Sequence, residues 1–253
     1  DLAKFYRNSL PTSFIAVTGS NGKTTTKDMA YHVLRNFKSV SRSRKSFNNF
    51  IGVPLTIFET ETAHDFCIVE MGTNAPGEIK RLSEIIFPDF AILTNISNAH
   101  LEGLENIEGV ASAKSEFIEN MAEDGTLITN ADDDWCNQIA DRFNGKVISF
   151  GFNQSADIKA SNVKRNDSGF VFTVNDSFTV NLPVFGRHNI YNALAVIAMC
   201  DAIGVGIEVI CDKFMDFKLP PMRMEKQICG GIVVVNDGYN SNPSSMSSAL
   251  DEF

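Results

Sequence analysis

The chain has 253 residues, 43% of them hydrophobic and 21% charged, and a net charge of −9 at pH 7. That length and composition suit one large or two modest globular domains and exclude a wholly disordered chain. The acidic balance argues against a nucleic-acid binder, and no apolar run approaches the roughly 18 residues of a membrane-spanning helix, so a soluble chain without membrane partners is expected.

The first residue is Asp1 rather than Met, and Phe253 falls within helical periodicity, so the chain is expected to be a piece of a longer protein. Residues 14–18 (FIAVT) form a short apolar run that ends in a Gly-rich loop, and residues 24–36 follow with helical spacing. Two more buried-strand runs, 66–71 (FCIVEM) and 90–95 (FAILTN), alternate with expected helices at 77–86 and 107–121. Further strands are expected at 126–129 and 147–150, with an Asp-rich helix between them. Continuous apolar strands alternating with helices are the mark of a parallel sheet covered on both faces.

From 156 to 184 the pattern shortens and alternates, with Asn-Asp turns at Asn166-Asp167 and Asn175-Asp176, as in a small antiparallel insertion. Helices are expected at 187–202 and 207–217, and Leu219-Pro220-Pro221 then reads as a linker. Beyond it, a strand at 231–236 and a helix at 244–253 look like the start of a second α/β domain. The fold class expected is therefore α/β: a mostly parallel sheet with a phosphate loop, flanked by helices and carrying a small antiparallel insertion. The five cysteines are odd in number and lack C-x-x-C spacing, which reads as reduced core thiols in a cytosolic protein.

Chemistry is concentrated in Gly19, Ser20, Asn21, Gly22, Lys23, Thr24 and Thr25. The pattern G-x-x-x-x-G-K-[ST] would place its first glycine at position 17, where this chain has Val17, yet strand, G-K-T and helix stand in the right order. Backbone N–H groups at such a helix start suit phosphates, Lys23 suits the β and γ phosphates, and the Thr24 hydroxyl suits Mg2+. Glu70 ends the second strand, where a carboxylate suits magnesium and a solvent-facing side chain is an equal alternative. His100, in a loop, and Lys114, mid-helix, read by position alone as surface residues. Asn189 and Asn192 are three apart and share a helix face; amides suit adenine, although helix capping is their commoner role. Arg223 and Asp237, before and after the next strand, are compatible with ordinary surface charges.

The strings TGSNGKTTTKD, SFNNFIGVPLT, EMGTNAPGEI, LTNISNAHLEG, AKSEF, GRHNIYNALA, MRME and NDGYNSNPSSM stand in the order of the Mur ligases. The chain resembles that family over nearly its whole length, and EMGTNAPGEI with the YN-x-NP-x-SM ending resembles the MurF type in particular. Gly238 and Ser241 depart from it by small-for-small changes. The resemblance implies an ATP-dependent amide ligase of peptidoglycan synthesis that joins D-Ala-D-Ala to UDP-MurNAc-tripeptide through an acyl phosphate. It implies ATP and two Mg2+ ions, with Lys23, Thr24 and Glu70 at phosphates and metal, His100 as a second metal ligand and Lys114 as a carbamate. Asn189 and Asn192 would contact adenine, Arg223 and Asp237 the nucleotide, and Asn48 and Asn49 would lie beside the reacting carboxylate. Residues 1–10 would be an interdomain connection, 11–219 the central ATP-binding domain, and 220–253 the start of a truncated C-terminal domain. Such a piece is expected to be a cytoplasmic monomer, incomplete for ligation by itself. The rival readings are another ligase, such as MurE or folylpolyglutamate synthase, and an ATPase module without ligase activity.

Overall fold

The structure, a computed structural model that describes residues 2–252, alternates helices and strands as the pattern requires. In chain order the elements are α1 (Leu2–Asn8), β1 (Ser13–Thr18), α2 (Lys23–Leu34), β2 (Val40–Arg42), α3 (Gly52–Phe58), β3 (Phe66–Glu70) and α4 (Glu78–Ile86). Next come β4 (Phe90–Leu93), α5 (Leu101–Leu104), α6 (Ile107–Ser115), β5 (Thr126–Asn130), α7 (Asp134–Ala140) and β6 (Lys146–Gly151). The remainder is β7 (Ile158–Arg165), β8 (Phe170–Val174), β9 (Phe178–Leu182), α8 (His188–Ala202), α9 (Ile207–Cys211), β10 (Glu225–Cys229), β11 (Ile232–Asn236) and α10 (Pro243–Leu250).

Nine strands make one sheet in the order β2-β3-β1-β4-β5-β6-β7-β8-β9. Pairing is parallel from β2 to β7 and antiparallel from β7 to β9. The antiparallel insertion is present as expected, and it extends the main sheet through the pairs Phe150↔Ile158 and Gly151↔Lys159. Asn175 and Asp176 both take positive φ, which is the turn geometry that an Asn-Asp pair favours between two strands. The period of two explains why the parallel strands read as unbroken apolar runs: Ile15 and Val17 enter a core with α2 and α8, while Phe14 and Ala16 enter the opposite core. Helix α8 is apolar almost all round because it lies buried across one sheet face, packed on α2, β5, β6 and β7.

Several boundaries differ from the sequence reading for visible reasons. The helix expected over 107–121 is α only to Ser115 and continues as a 3-10 turn, Glu116–Asn120. There the Glu116 carboxylate turns aside to accept from the N–H groups of Gly77 (2.7 Å) and Lys80 (2.9 Å) at the start of α4. The helix expected over 207–217 is α9 plus a 3-10 turn, Asp212–Phe214, which seats Phe214 in the core. The third strand runs only to Leu93; beyond it Thr94 keeps a backbone bond to Thr18, and the side chains of Thr94 and Asn95 brace the phosphate loop at the Asn21 carbonyl. The strand expected at 231–236 is β11, paired with β10 in an antiparallel hairpin that sequence pattern did not reveal. Helices α1, α3 and α5 and the edge strand β2 are likewise additions, all seven residues or shorter. Of the expected helix over 244–253, α10 covers Pro243–Leu250, while Phe253, like Asp1, lies outside the described residues. Among the described residues no helix is long and apolar enough to cross a membrane.

Candidate active site

The carboxyl ends of β1, β3 and β4 open into one cleft of about 720 Å3, at the edge where the strand order places β3 on one side of β1 and β4 on the other. The loop leaving β1 forms its floor. Gly19 has φ +137° and its missing Cβ would overlap the Thr94 hydroxyl, while Gly22, at φ +82°, would place a Cβ 2.5 Å from Asn192 Oδ1. Both positions demand glycine, one on each side of the turn. The ammonium of Lys23 folds back to donate to the carbonyls of Gly19 (2.8 Å) and Ser20 (3.0 Å). Its pKa is lowered by burial first; Glu70 opposes that shift and Arg223 adds to it. Ser20 Oγ donates to the Ser97 carbonyl at 3.0 Å, and Asn95 Oδ1 accepts from the N–H of Asn21 at 3.0 Å, so the exit of β4 braces the loop. Thr25 is buried and lines the cleft beside it.

Glu70 closes β3 almost wholly buried, with Oε1 accepting from Asn48 Nδ2 at 2.8 Å. Its Oε2 has no hydrogen-bond partner and lies 3.8 Å from Lys27 Nζ. Asn49 does something else: its Oδ1 accepts from the N–H groups of Ile51 (3.1 Å) and Gly52 (3.0 Å), and so organises the entry to α3. His100 stands at the cleft with a left-handed backbone, and its pKa is lowered by partial desolvation and then by the charges of Lys114 and Lys23. Lys114 lies behind the cleft wall on α6 with no exposure, and its Nζ has no partner. Burial, seconded by Lys23, pushes its pKa well below the ordinary lysine range.

The opposite wall comes from α8 and from the segment after the linker. Asn189 and Asn192 do share one face, as their spacing requires, and both line the cleft. Their amides are engaged with the protein: Asn189 Nδ2 donates to the Phe185 carbonyl (2.6 Å), Asn192 Nδ2 to Asn189 Oδ1 (2.9 Å), and Asn192 Oδ1 accepts from Thr26 (3.1 Å). Arg223 reaches over the loop and donates to Thr24 Oγ1 at 3.0 Å, its guanidinium 4.1 Å from the centroid of the Tyr239 ring. Asp237 accepts from the N–H of Met224 at 3.0 Å and also lines the cleft.

Sequence reasoning missed four participants. Tyr239 bonds the Ser46 hydroxyl, Asn242 Nδ2 donates to Asn21 Oδ1 at 2.7 Å, His188 presents a buried Nδ1 without a partner, and Lys27 sits behind Glu70. Tyr239 and Asn242 stand inside a quoted string, NDGYNSNPSSM, which was the only signal for them.

The donor set suits a nucleoside triphosphate with a hard divalent cation. The Thr24 hydroxyl and the unpartnered Glu70 Oε2 are oxygen donors, and the start of α2 supplies N–H groups for phosphate. Among the described residues no three His, Cys, Asp or Glu side chains converge, so phosphate and water oxygens would have to complete the shell.

Comparison with known proteins agrees with this geometry. The chain is 37% identical over 251 residues to the UDP-N-acetylmuramoyl-tripeptide–D-alanyl-D-alanine ligase of Bacillus subtilis, covering 98% of this chain and 54% of that protein. With the Escherichia coli ligase of the same name the identity is 34%, over 99% of this chain and 57% of the relative. The chain thus spans about half the length of the curated relatives it matches. A crystal structure of MurF from Acinetobacter baumannii superposes with a TM-score of 0.94 at 30% identity, covering 99% of this chain and 56% of that one. The MurF of Thermotoga maritima in complex with ADP gives 0.91 at 28% identity, covering 100% and 60%. The Mur ligase middle domain matches residues 17–200, more than half of the chain, and the chain belongs to the Mur ligase family.

Proposed function

We propose that this chain is the nucleotide-binding and phosphoryl-transfer core of a MurF-type ligase, which joins D-Ala-D-Ala to UDP-MurNAc-tripeptide with hydrolysis of ATP. The observation that carries the reading is the meeting of Lys23, Thr24 and a half-satisfied Glu70 in one cleft at the carboxyl edge of the sheet. Lys23 exchanges the carbonyls of Gly19 and Ser20 for phosphate oxygens, while the loop N–H groups fix the phosphates in line with the acceptor carboxylate. Thr24, Glu70, His100 and a modified Lys114 would hold magnesium, which when bound would supply positive charge to offset that of the phosphates. Lys114 serves as a neutral amine: its nitrogen attacks CO2, loses a proton to water and becomes an anionic carbamate. Asn189 and Asn192 face the base, and Arg223 and Asp237 fix the nucleotide from the far side. Asn48 orients Glu70, and Asn49 holds the loop beside the reacting carboxylate. The acyl phosphate so formed needs protection from water, which the segment 220–252 supplies by closing over the phosphate loop.

In domain terms, 1–10 connects, 11–219 is the central domain and 220–253 begins a third. The test is a ligation assay on the complete gene product, with UDP-MurNAc-tripeptide, D-Ala-D-Ala and Mg-ATP. Phosphate release that requires both acceptors, with UDP-MurNAc-pentapeptide seen by mass spectrometry, is expected; phosphate release without acceptors and no pentapeptide would make the chain a simple ATPase module. The chain by itself is expected to bind Mg-ATP weakly and to form no pentapeptide.

A further inference from the structure

Lys27 follows Lys23 by four residues on α2, so the two side chains share a helix face one turn apart. Their surroundings are opposite. Lys23 lines the cleft, whereas Lys27 is fully buried and absent from the cleft lining. A buried ammonium is tolerated only with partners, and Lys27 has three. Its Nζ lies 3.8 Å from Glu70 Oε2 and 3.5 Å from Asp28 Oδ1, and it donates a hydrogen bond to the Lys45 carbonyl. Asp28 in turn holds Arg42 of the edge strand β2 at 3.0 Å.

The Lys45 carbonyl belongs to the loop 43–49, which lies between β2 and the cleft. Lys45 takes φ +47°, a left-handed conformation that is strained for a residue with a side chain. The loop touches Glu70 at both ends as well: the N–H of Glu70 donates to Ser43 Oγ at 3.2 Å, and Asn48 Nδ2 donates to Glu70 Oε1 at 2.8 Å. Among the described residues, Lys27 is the one cation that both ion-pairs with the carboxylate and donates to the middle of the loop. At 3.8 Å it compensates the Glu70 charge without consuming Oε2 in a hydrogen bond.

We infer that Lys27 is a positioning residue that locks the Glu70 carboxylate to the loop 43–49, so that the carboxylate and the amides of Asn48 and Asn49 are held as one unit. The consequence for metal rests on the proposed reading of Glu70 as a magnesium ligand; the mechanical coupling does not.

The experiment uses the complete protein with Lys27→Met, which keeps length and removes the charge, and Lys27→Arg, which keeps it. Hydrogen exchange is followed at the amides of Phe47, Val53 and Gly72, which are bonded to Arg44, Asn49 and Asn48 carbonyls. Lys27→Met is expected to speed their exchange about tenfold or more, with residues 15–17 unchanged, and Lys27→Arg to restore part of the protection. The magnesium concentration for half-maximal velocity should rise on the order of tenfold in Lys27→Met, as for other residues that orient a metal ligand, with KM for D-Ala-D-Ala unchanged. Unchanged loop exchange, or a parallel loss at residues 15–17, overturns the coupling. Should Lys27→Met not fold, the pair Lys27→Met/Glu70→Gln removes both charges and carries the same exchange test, since the bond to Lys45 is still lost. If Glu70→Gln alone leaves the magnesium requirement unmoved, the ligand reading of Glu70 fails and exchange still decides the coupling.

Discussion

A lysine amine taken out of water loses the hydration that stabilises its charge, and Lys114 has neither exposure nor a hydrogen-bond partner. Its folded-state pKa lies well below that of an unfolded lysine, near 10.4. Between those two values the unfolded chain binds more protons, so stability rises with pH across that window, is lost as pH falls back through it, and is level below it, where both states carry the proton. In chelator and CO2-free buffer, Lys114→Met should therefore raise stability at pH 7 by about 1–3 kcal/mol and flatten the alkaline rise, as read from urea unfolding at pH 7 and pH 10. For the ligase activity proposed for the complete protein the same site should behave oppositely: Lys114→Ala should lose most ligation, and short carboxylates should restore part of it by filling the place of the proposed carbamate. Full activity without additive would leave the carbamate unsupported. The sequence displayed a mid-helix lysine in AKSEF and nothing about its burial, because burial depends on which face of α6 the helices α4, α5 and α7 cover.

At the scale of elements, Asp133 shows one carboxylate organising two segments. Its Oδ1 caps α7 by accepting from the N–H groups of Trp135 and Cys136, both at 3.0 Å. Its Oδ2 accepts from the N–H of Ile96 at 2.7 Å, on the strand exit that braces Ser20 and Asn21. Asp133→Ala should cost about 1–2 kcal/mol by thermal or urea unfolding, and Asp133→Asn, which keeps an accepting oxygen for the cap, distinctly less. Nucleotide affinity should fall with the first substitution as the loop at 95–98 loosens, read by titration with a fluorescent ATP analogue. An Asp-rich helix start was legible here; which of Asp132, Asp133 and Asp134 caps it was not. The neighbours divide the work differently, for Asp132 accepts from the N–H of Phe152 (2.6 Å) and from Tyr191 Oη (3.0 Å).

At the scale of the molecule, the chain divides into a sheet buried on two faces and a terminal segment attached from outside. The hairpin β10–β11 pairs only with itself, and Ile228, Ile232, Val233 and Val234 on it are exposed. A two-stranded hairpin has marginal stability of its own, so its hydrogen bonds open without unfolding the core. The anchors are mostly polar side-chain contacts: Arg223 to Thr24, Tyr239 to Ser46, Asn242 to Asn21, and Glu252 to the backbone of Arg187 and to Arg165, with Met224 buried beside them. Amides of residues 233–235 should therefore exchange orders of magnitude faster than those of 15–17, and equal protection would contradict this division.

Features that depend on near neighbours along the chain were legible without the fold. The apolar period of β1, the glycines that the phosphate-loop turn requires, the G-K-T at the start of α2 and the shared face of Asn189 and Asn192 follow from backbone geometry over a few residues. Tertiary structure decided everything that depends on packing between distant segments. Three helical lysines, Lys23, Lys27 and Lys114, are alike in sequence, yet one faces the cleft, one is walled in behind Glu70 and one is buried without a partner. Adjacent asparagines diverge in the same way, Asn48 holding Glu70 and Asn49 the start of α3. The partner that reaches Thr24 lies 199 residues away, at Arg223. Charge and hydrogen-bond partners at such separations are fixed by strand order and helix packing, because only those bring the desolvated groups within the few ångströms over which they act.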